Sequence, residues 1–365
     1  MARTTGPGTA IRVAHTRPAR TPLHTSLRYV HMRCTAVARL LLVVLVVACG
    51  GDGTDLDTSV ESAGPPPVGV ADMTFTDDTR QRELRVQLWY PACTTRTIAA
   101  AWNPPAATGA FPLVAFSHCH ECTRFSGMTI ARRLASHGFA VVAVDHTGNT
   151  LWDQLDMDGL PLDGTTLELR VGDLAFAIAR ARGELATAAG LTIAAGPIGA
   201  FGHSFGSVTA GLHAQRSGAE VGAVFGLAAP MENPLLPGVT ITELDAPLGF
   251  LVAREDNSIS ELGNELIRGN FMRAPGPAWK LEVADAGHWS VSDLVGIVPG
   301  FAPGCGAGTR QTDGQPFTYL PPETGRGIAA AYVTAFFKAT LLADAGAEAY
   351  LSAARPAGTV TAETR

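Results

Sequence analysis

Short apolar runs alternate with longer amphipathic stretches along most of this chain. Runs of five to eight residues are typical of buried strands, and the stretches between them have the three-to-four-residue spacing of helices. The predicted strands are residues 68–75, 84–90, 111–116, 139–144, 197–201, 221–227, 247–253 and 279–283, and the predicted helices are residues 128–137, 167–185, 207–215 and 327–342. This alternation predicts an α/β fold with a doubly wound, mostly parallel sheet.

Composition adds limits to this picture. Of the 365 residues, 46% are hydrophobic and 16% are charged, which excludes a disordered chain and allows one large core. Residues 228–246 are too few for a large cap domain, whereas the Gly- and Pro-rich residues 289–324 predict a functional loop. The net charge of −6 argues against a nucleic-acid partner, because phosphate binding needs clustered Lys and Arg.

The N-terminal segment has the pattern of an export signal. Residues 40–48 are an apolar run preceded by Arg33 and Arg39; they are too short to span a bilayer as a helix but fit the core of a signal peptide. The segment ends in Val-Val-Ala-Cys, which resembles the lipobox of bacterial lipoproteins. The sequence therefore predicts a signal peptide over residues 1–48 and lipidation of Cys49. A plain secretory signal or an uncleaved anchor is the alternative, and each version takes the chain out of the cytoplasm.

The remaining domain boundaries follow from composition. Met32 is an alternative start, because the basic stretch before the apolar run is long for a signal peptide. Residues 49–67 are polar and then Pro-rich, which predicts a flexible tether attached to the lipid. The catalytic domain is predicted over residues 68–352, followed by a disordered tail over residues 353–365.

Four cysteines lie beyond the signal segment: Cys93, Cys119, Cys122 and Cys305. In an oxidising compartment four thiols indicate one or two disulfides, and the sequence leaves three pairings open. The C-x-x-C spacing of Cys119 and Cys122 also occurs in metal sites and redox motifs. No second motif completes a zinc site, so no metal is predicted.

Residues 202–206 (GHSFG) match G-x-S-x-G directly between a predicted strand and a predicted helix. A sharp strand-to-helix turn leaves no space for side chains at its two flanks, which favours glycine there and exposes the central serine. The motif alone is weak in a Gly-rich chain, but its position between these elements predicts Ser204 as a catalytic nucleophile.

A nucleophilic serine needs a base, and in this arrangement the expected chain order is serine, acid, histidine. Two histidines follow Ser204, and His213 is carried away from it by about two and a half turns of helix. His288 follows the last predicted strand and is the predicted base. Asp256 is the predicted acid because it follows strand 247–253, from which a carboxylate reaches the imidazole and holds its tautomer.

Glu255 is the first alternative acid, and Asp245 and Asp285 are more remote ones. The oxyanion of an acyl-transfer intermediate also needs two backbone N–H donors. We expect these from Phe205, which follows the nucleophile, and from His120, in the loop after strand 111–116.

The side chains of His118 and His120 are interpreted as structural. Candidates to line an apolar pocket are Trp289, Met231, Leu235, Leu236 and Phe205.

Several segments, in this order, resemble the bacterial branch of the platelet-activating-factor acetylhydrolase and dienelactone-hydrolase-like families of the α/β-hydrolase superfamily. The resemblance covers roughly residues 68–352 and rests on RELR (82–85) leading into LWYP (88–91), PLVAFSH (112–118), LASHGFAVVAVDH (134–146), LRVGD (169–173), GHSFG (202–206), AGHWSVSDL (286–294) and AFFKATLLAD (335–344). It implies an α/β-hydrolase fold with Ser204 as nucleophile, His288 as base and main-chain oxyanion donors at His120 and Phe205.

The chain departs from these families at three places. Family members commonly have glycine where this chain has Cys119, and a Cβ disfavours a turn that needs positive φ. Acetylhydrolases can carry their acid after the strand that follows the nucleophile helix, but residues 225–228 (FGLA) contain no carboxylate, which supports Asp256. Dienelactone hydrolases use a cysteine nucleophile, so Ser204 implies an ordinary ester hydrolase.

The sequence thus predicts an exported, membrane-anchored serine esterase that forms an acyl-enzyme with Ser204, His288 and Asp256 and needs no metal or organic cofactor. Its partners are a small-molecule or lipid ester and, through the N-terminal lipid, a membrane. Without a large cap, short acyl chains are favoured. The alternatives are a lipase, phospholipid or polyester hydrolase, an amidase or peptidase, and a non-catalytic lipoprotein that uses the fold as a binding scaffold.

Overall fold

The computed structural model describes residues 55–93, 101–297 and 299–365. The predicted signal peptide, residues 1–48, and the predicted lipidation site, Cys49, lie outside the described residues. No helix in the described part of the chain is long and apolar enough to cross a membrane.

The strands of the described residues are β1 (Val68–Asp77), β2 (Arg82–Pro91), β3 (Ala101–Trp102), β4 (Ala110–Phe111), β5 (Leu113–Ser117), β6 (Ala140–Val144), β7 (Thr192–Ile193), β8 (Ile198–His203), β9 (Val221–Leu227), β10 (Leu248–Ala253), β11 (Ala278–Val283), β12 (Ala307–Thr309), β13 (Pro316–Thr318) and β14 (Val360–Thr364). The α-helices are α1 (Met128–Ser136), α2 (Leu151–Leu155), α3 (Gly164–Arg180), α4 (Ala186–Ala189), α5 (Phe205–Ser217), α6 (Ser260–Arg273), α7 (Pro322–Leu342) and α8 (Ala345–Leu351).

Ten of these strands form one sheet in the order β14-β11-β10-β9-β8-β5-β6-β2-β1-β3. The six strands from β11 to β6 are parallel. Strand β2 pairs antiparallel with β6 and β1, and β14 pairs antiparallel with β11, whereas β3 pairs parallel with β1. Every residue of β5, β6, β8 and β10 is buried, which is why their sequences are continuous apolar runs rather than alternating ones. The predicted α/β fold with a mostly parallel sheet is confirmed.

Helices cover both faces of this sheet. Helices α3, α5 and α6 pack in one apolar cluster, and α1, α7 and α8 pack in the other. Successive residues of β5 alternate between the clusters, with Leu113 and Ala115 in the first and Val114 and Phe116 in the second. The carboxyl ends of the parallel strands therefore lie together at one edge, where loops are free to form a site.

The prediction of a disordered tail over residues 353–365 is wrong for the last part of that segment. Strand β14 pairs antiparallel with β11 and buries Val360. The Arg365 N–H donates to the Ala278 carbonyl over 2.9 Å, and the Ala278 N–H donates to the Arg365 carbonyl over 3.0 Å. This segment is too short and polar to show a strand pattern, but the edge of the sheet supplies the backbone partners that order it.

The prediction of a flexible tether over residues 49–67 is also wrong for residues 55–67, the part that the structure describes. Residues 55–67 pack on the domain: Val60 is fully buried, and Asp57 forms an ion pair with Lys338 of α7. Asp57 also caps the 3-10 turn Thr58–Glu61 by accepting from the Ser59 N–H. One apolar residue among polar ones gives no periodic signal, so composition alone could not reveal this docking.

Candidate active site

The turn between β8 and α5 places Ser204 at the carboxyl edge of the sheet. Ser204 has φ 56° and ψ −122°, a backbone conformation that costs free energy for a residue with a Cβ. Its N–H donates to the Leu227 carbonyl over 2.9 Å, which fixes the turn to the neighbouring strand. A Cβ on Gly202 would lie 2.0 Å from the Gly206 carbonyl oxygen, so the turn requires glycine at position 202. The sharp strand-to-helix turn expected from the sequence is present.

His288 and Asp256 are hydrogen-bonded in the loops that follow β11 and β10. The distance between His288 Nδ1 and Asp256 Oδ2 is 2.7 Å, and both side chains are buried. The other carboxylate oxygen, Oδ1, accepts from the N–H groups of Ser258 and Ile259 at 2.9 and 3.1 Å. Because a carboxylate accepts, Nδ1 carries the proton and Nε2 is left as the basic nitrogen.

None of the alternative acids is bound to His288: two pair with Arg310, and the third is exposed to solvent. Glu255 accepts from Arg310 at 2.9 Å and from the Gln311 N–H at 3.0 Å. Asp285 pairs with the same guanidinium at 2.8 Å. Asp245 is exposed. The structure therefore brings Asp256, and none of the three alternatives, to His288; the catalytic roles stay predictions.

His203, which precedes the nucleophile, links it to the histidine loop. Its Nε2 lies 2.9 Å from the His288 carbonyl oxygen, and the two rings are 4.9 Å apart. Since the carbonyl can only accept, Nε2 is the protonated nitrogen. Burial, with the nearby His288 as a smaller cause, lowers the pKa of His203 well below its ordinary value, so the ring stays neutral. Sequence reasoning gave His203 no role.

The loop after β5 is closed by a disulfide between Cys119 and Cys122, whose α-carbons are 5.2 Å apart. Cys305 is a free thiol, so the disulfide pairing that the sequence left open is now defined for Cys119, Cys122 and Cys305. The positive φ of this loop falls on Glu121, at 54°, rather than on Cys119. The loop thus accommodates a cysteine where glycine is usual. The predicted donor His120 lies between the two bridged residues.

Arg170 is the largest fully buried side chain of the described residues and lies directly behind this loop. Its guanidinium donates to the His118 carbonyl, and to Asn149 Oδ1 at 2.6 Å. On the other side Nε lies 3.1 Å from Thr209 Oγ1, and the charge sits 4.5 Å from the centre of the Phe205 ring. Burial lowers the pKa of Arg170 to about 9, which leaves it cationic at neutral pH.

Arg170 was not among the functional residues predicted from the sequence, although its position carries a signal. It falls on the apolar face of α3, three residues after Leu167 and four before Leu174, where a charged side chain is unusual.

Asp173, one turn further along α3, is the common partner of the buried His146 and of the partly buried Arg80 and Arg82. It accepts from Arg80 at 2.7 Å and from Arg82 at 2.8 Å, and it lies 3.4 Å from His146 Nδ1. Burial opposes its ionisation, but the hydrogen bonds and charges of His146 and Arg82 hold its pKa at about 2. His146 Nε2 in turn lies 2.9 Å from Ser117 Oγ at the end of β5. This network holds β5 and α3 together under the candidate site.

A cavity of about 550 Å³ opens beside Ser204. Its volume is in the range of small-molecule sites. The loop after β5, the short helix α2 and the loop after β11 line it with His120, Glu121, Leu151, Gln154, Leu155, Trp289, Gly300 and Phe301. The predicted functional loop, residues 289–324, therefore does form part of this wall.

Four of the five predicted pocket residues do not line this cavity. Met231, Leu236 and Phe205 are buried in the core beneath α5, and Leu235 is exposed to solvent. Their apolar character reflects packing, which sequence alone does not distinguish from ligand binding. Trp289 is the one correct assignment.

No group of three or more His, Cys, Asp or Glu side chains in the described ranges is arranged to hold a metal ion.

Comparisons with known proteins find similarity to a family model and to a solved structure. The family model of platelet-activating factor acetylhydrolase, isoform II, matches residues 93–152, which include β5, the disulfide-closed loop and β6. A solved structure of a ferulic acid esterase from Streptomyces cinnamoneus is similar with a TM-score of 0.63 and 24% sequence identity, over 80% of this chain and 94% of that one. A search of curated protein sequences gives no match.

Proposed function

We propose that this chain, whose fold is that of the α/β-hydrolases, is a serine ester hydrolase with Ser204, His288 and Asp256 as its catalytic triad. The observation that carries the proposal is the buried 2.7 Å contact between His288 Nδ1 and Asp256 Oδ2. The serine is held at positive φ on the turn whose His203 lies 2.9 Å from the His288 carbonyl oxygen. Both the family match and the esterase neighbour support ester hydrolysis.

The reaction follows from the protonation states. His288 Nε2 takes the proton of Ser204 Oγ as this oxygen attacks the ester carbonyl, and Asp256 stabilises the imidazolium that forms. The N–H groups of Phe205 and His120 bind the oxyanion. The imidazolium then gives its proton to the leaving alcohol, and the acyl group remains on Ser204. Water, activated by the same nitrogen, releases the acid and restores the serine.

The cavity favours uncharged esters with a short or aromatic acyl group. Leu151, Leu155, Trp289 and Phe301 offer apolar and aromatic surface, whereas Glu121 places a carboxylate at the wall. A negative group near the scissile bond would be repelled by this carboxylate and would lose its hydration. The small aromatic acid in the name of the esterase neighbour fits the same description.

The test is hydrolysis of a p-nitrophenyl ester series from acetate to palmitate, and of methyl ferulate, by the purified protein and Ser204→Ala. We expect activity that the substitution abolishes, with an optimum among the shorter or aromatic acyl groups. Glu220→Gln, which changes an exposed carboxylate on a turn after α5, is the matched control and keeps full activity. A folded wild-type protein that cleaves no ester contradicts the proposal and favours a binding scaffold.

We also propose that the protein is exported and held at a membrane by a lipid on Cys49. The apolar run before Cys49 supports this proposal, and a buried disulfide suits an oxidising compartment. In a bacterial host the wild type should partition into detergent and incorporate labelled palmitate, and Cys49→Ala should do neither. Unchanged palmitate labelling of Cys49→Ala would contradict lipidation at this residue.

A further inference from the structure

We propose that His118 and Arg170 are positioning residues that hold and polarise the peptide group between Cys119 and His120, making it a stronger oxyanion donor. This inference rests on the proposed function and deepens it. The carbonyl of Cys119 and the N–H of His120 belong to one planar peptide unit. Whatever binds that carbonyl therefore sets the direction and the strength of that N–H.

The Cys119 carbonyl oxygen accepts two hydrogen bonds. His118 Nδ1 lies 2.6 Å from it, and the Cys122 N–H donates to it over 3.3 Å. Arg170 Nη1 lies at 3.5 Å, at the limit of hydrogen bonding, and adds its positive charge. Donors on a carbonyl oxygen pull electron density away from the amide, which makes the N–H of the same unit a better donor.

The neighbours of His118 determine which of its nitrogens carries the proton. The backbone N–H of His146 donates to His118 Nε2 over 3.0 Å, so Nε2 is the acceptor. Nδ1 is then the protonated nitrogen and donates to the Cys119 carbonyl. Burial, with the Arg170 charge as the next cause, lowers the pKa of His118 well below its ordinary value and keeps this neutral tautomer.

Arg170 holds the preceding peptide unit and connects the two proposed donors. It donates to the His118 carbonyl, and two of its other contacts, with Thr209 and the Phe205 ring, are on the nucleophile helix. All of its hydrogen bonds go to uncharged oxygens, an unusual use of a buried cation. Its position between the loop and the helix fixes the spacing of the His120 and Phe205 N–H groups.

The disulfide completes this arrangement. Cys119 and Cys122 are both buried, and the bridge closes the four-residue turn that contains His120. A closed turn has few alternative conformations, so the N–H does not reorient when negative charge develops on the substrate. Rigid placement of this kind lowers the barrier without tightening substrate binding.

The test compares His118→Leu, which removes the Nδ1 donor, with His118→Asn, whose amide nitrogen can replace it. Rates are expressed per active site titrated with a phosphonate ester. We expect kcat to fall about tenfold or more in His118→Leu with KM little changed, and to recover in large part in His118→Asn. The affinity for a boronic acid, which forms a tetrahedral adduct on the serine, should fall with kcat.

Two further variants separate this role from simple packing. Arg170→Met and the double variant Cys119→Ser/Cys122→Ser should also lower kcat and boronate affinity together. His213→Leu removes a buried histidine of α5 that has no part in the loop, and its kcat should stay within about twofold of the wild type.

The outcomes distinguish the proposed esterase function from the positioning role of His118 and Arg170. Wild-type activity that survives Ser204→Ala overturns the proposed function and this inference with it. Ser204-dependent activity with unchanged kcat in His118→Leu overturns the inference alone. A loss in His118→Leu that appears only as a smaller titrated fraction, with normal kcat per site, also overturns it, because the histidine would then serve folding rather than catalysis.

Discussion

Gly206 lies so close to Ser117 that a Cβ on the glycine would be 2.0 Å from the Ser117 carbonyl oxygen. This contact sets the distance between the start of helix α5 and the end of strand β5. The serine turn and the disulfide-closed loop begin at these two places, so the contact also sets the geometry of the proposed oxyanion site.

Gly206→Ala should therefore impair both stability and activity. A methyl group cannot fit against backbone atoms without moving β5 or α5, and overpacking of this kind costs about 1–3 kcal/mol. Thermal unfolding and the ester assay measure the two effects. Gly269→Ala is the control, because a Cβ there meets nothing within 4 Å in helix α6, and alanine should stabilise the helix slightly. Full activity in Gly206→Ala would show that the spacing is not critical.

Asp256→Asn should abolish most of the activity with little loss of stability. The amide keeps the shape of the side chain but favours the wrong tautomer of His288, and in a triad such a change lowers kcat by about 10⁴-fold. Glu255→Gln is the matched control: it weakens the ion pair with Arg310 and should leave kcat within a few-fold of the wild type. If the two variants showed the opposite pattern, Glu255 would be the acid.

Stability should decrease as pH falls from about 7 to 5.5. His118, His146, His203 and His213 stay neutral in the folded protein because burial lowers their pKa values, to about 3 for His146 and about 4 for His213. In the unfolded chain each takes up a proton near its ordinary pKa of about 6.5, so the unfolded state gains protons that the folded state does not.

Urea unfolding across this range measures the slope. Each histidine contributes at most about 1.4 kcal/mol per pH unit. His213→Gln should reduce the slope, whereas Glu348→Gln, which changes an exposed carboxylate on α8, should leave it unchanged. A pH-independent free energy of unfolding in the wild type would mean that these histidines are protonated in the folded state.

Leu155→Trp should shift the preferred ester towards shorter acyl chains. Leu155 lines the cavity from α2, and a larger side chain reduces the space beside Ser204. The ratio of kcat/KM for acetate and octanoate esters measures the shift. Leu235→Trp is the control, because Leu235 is 84% exposed and lies outside the cavity wall. An equal shift in both variants would contradict the assignment of the cavity as the acyl site.

The sheet could be predicted because its central strands are buried on both faces. Runs such as residues 139–144 contain no polar interruption and therefore mark strands without any knowledge of the fold. Helix α6 could not be predicted in this way, since Gly263, Asn264 and Asn270 occupy three of its five buried positions. Tertiary packing, rather than an apolar stripe, keeps that segment helical.

The candidate site was predictable where a local motif or chain order constrains it. Ser204 and His288 follow from a turn motif and from elimination, and Asp256 from its position after a strand. The support behind them was not predictable, because Arg170 and His118 act through backbone carbonyls that only the folded chain brings together. Every residue has a backbone carbonyl, so the sequence does not show which carbonyl a buried side chain binds. Residues such as Arg170 and His118 therefore look like isolated polar residues in the sequence.

The docking of residues 55–67 determines how an anchored molecule would be oriented. The Gly64 N–H donates to Ser136 Oγ over 2.9 Å at the end of α1, and Asp57 pairs with Lys338 near the end of α7. Both helix ends lie at the amino-terminal edge of the sheet, opposite the edge that carries Ser204. From Cys49 to Asp55 the chain can span about 20 Å. With a lipid on Cys49 inserted in a membrane, this short linker would hold the amino-terminal edge of the sheet towards the bilayer and the cavity beside Ser204 away from it. Ester substrates would then reach the cavity from the surrounding solution rather than from the bilayer.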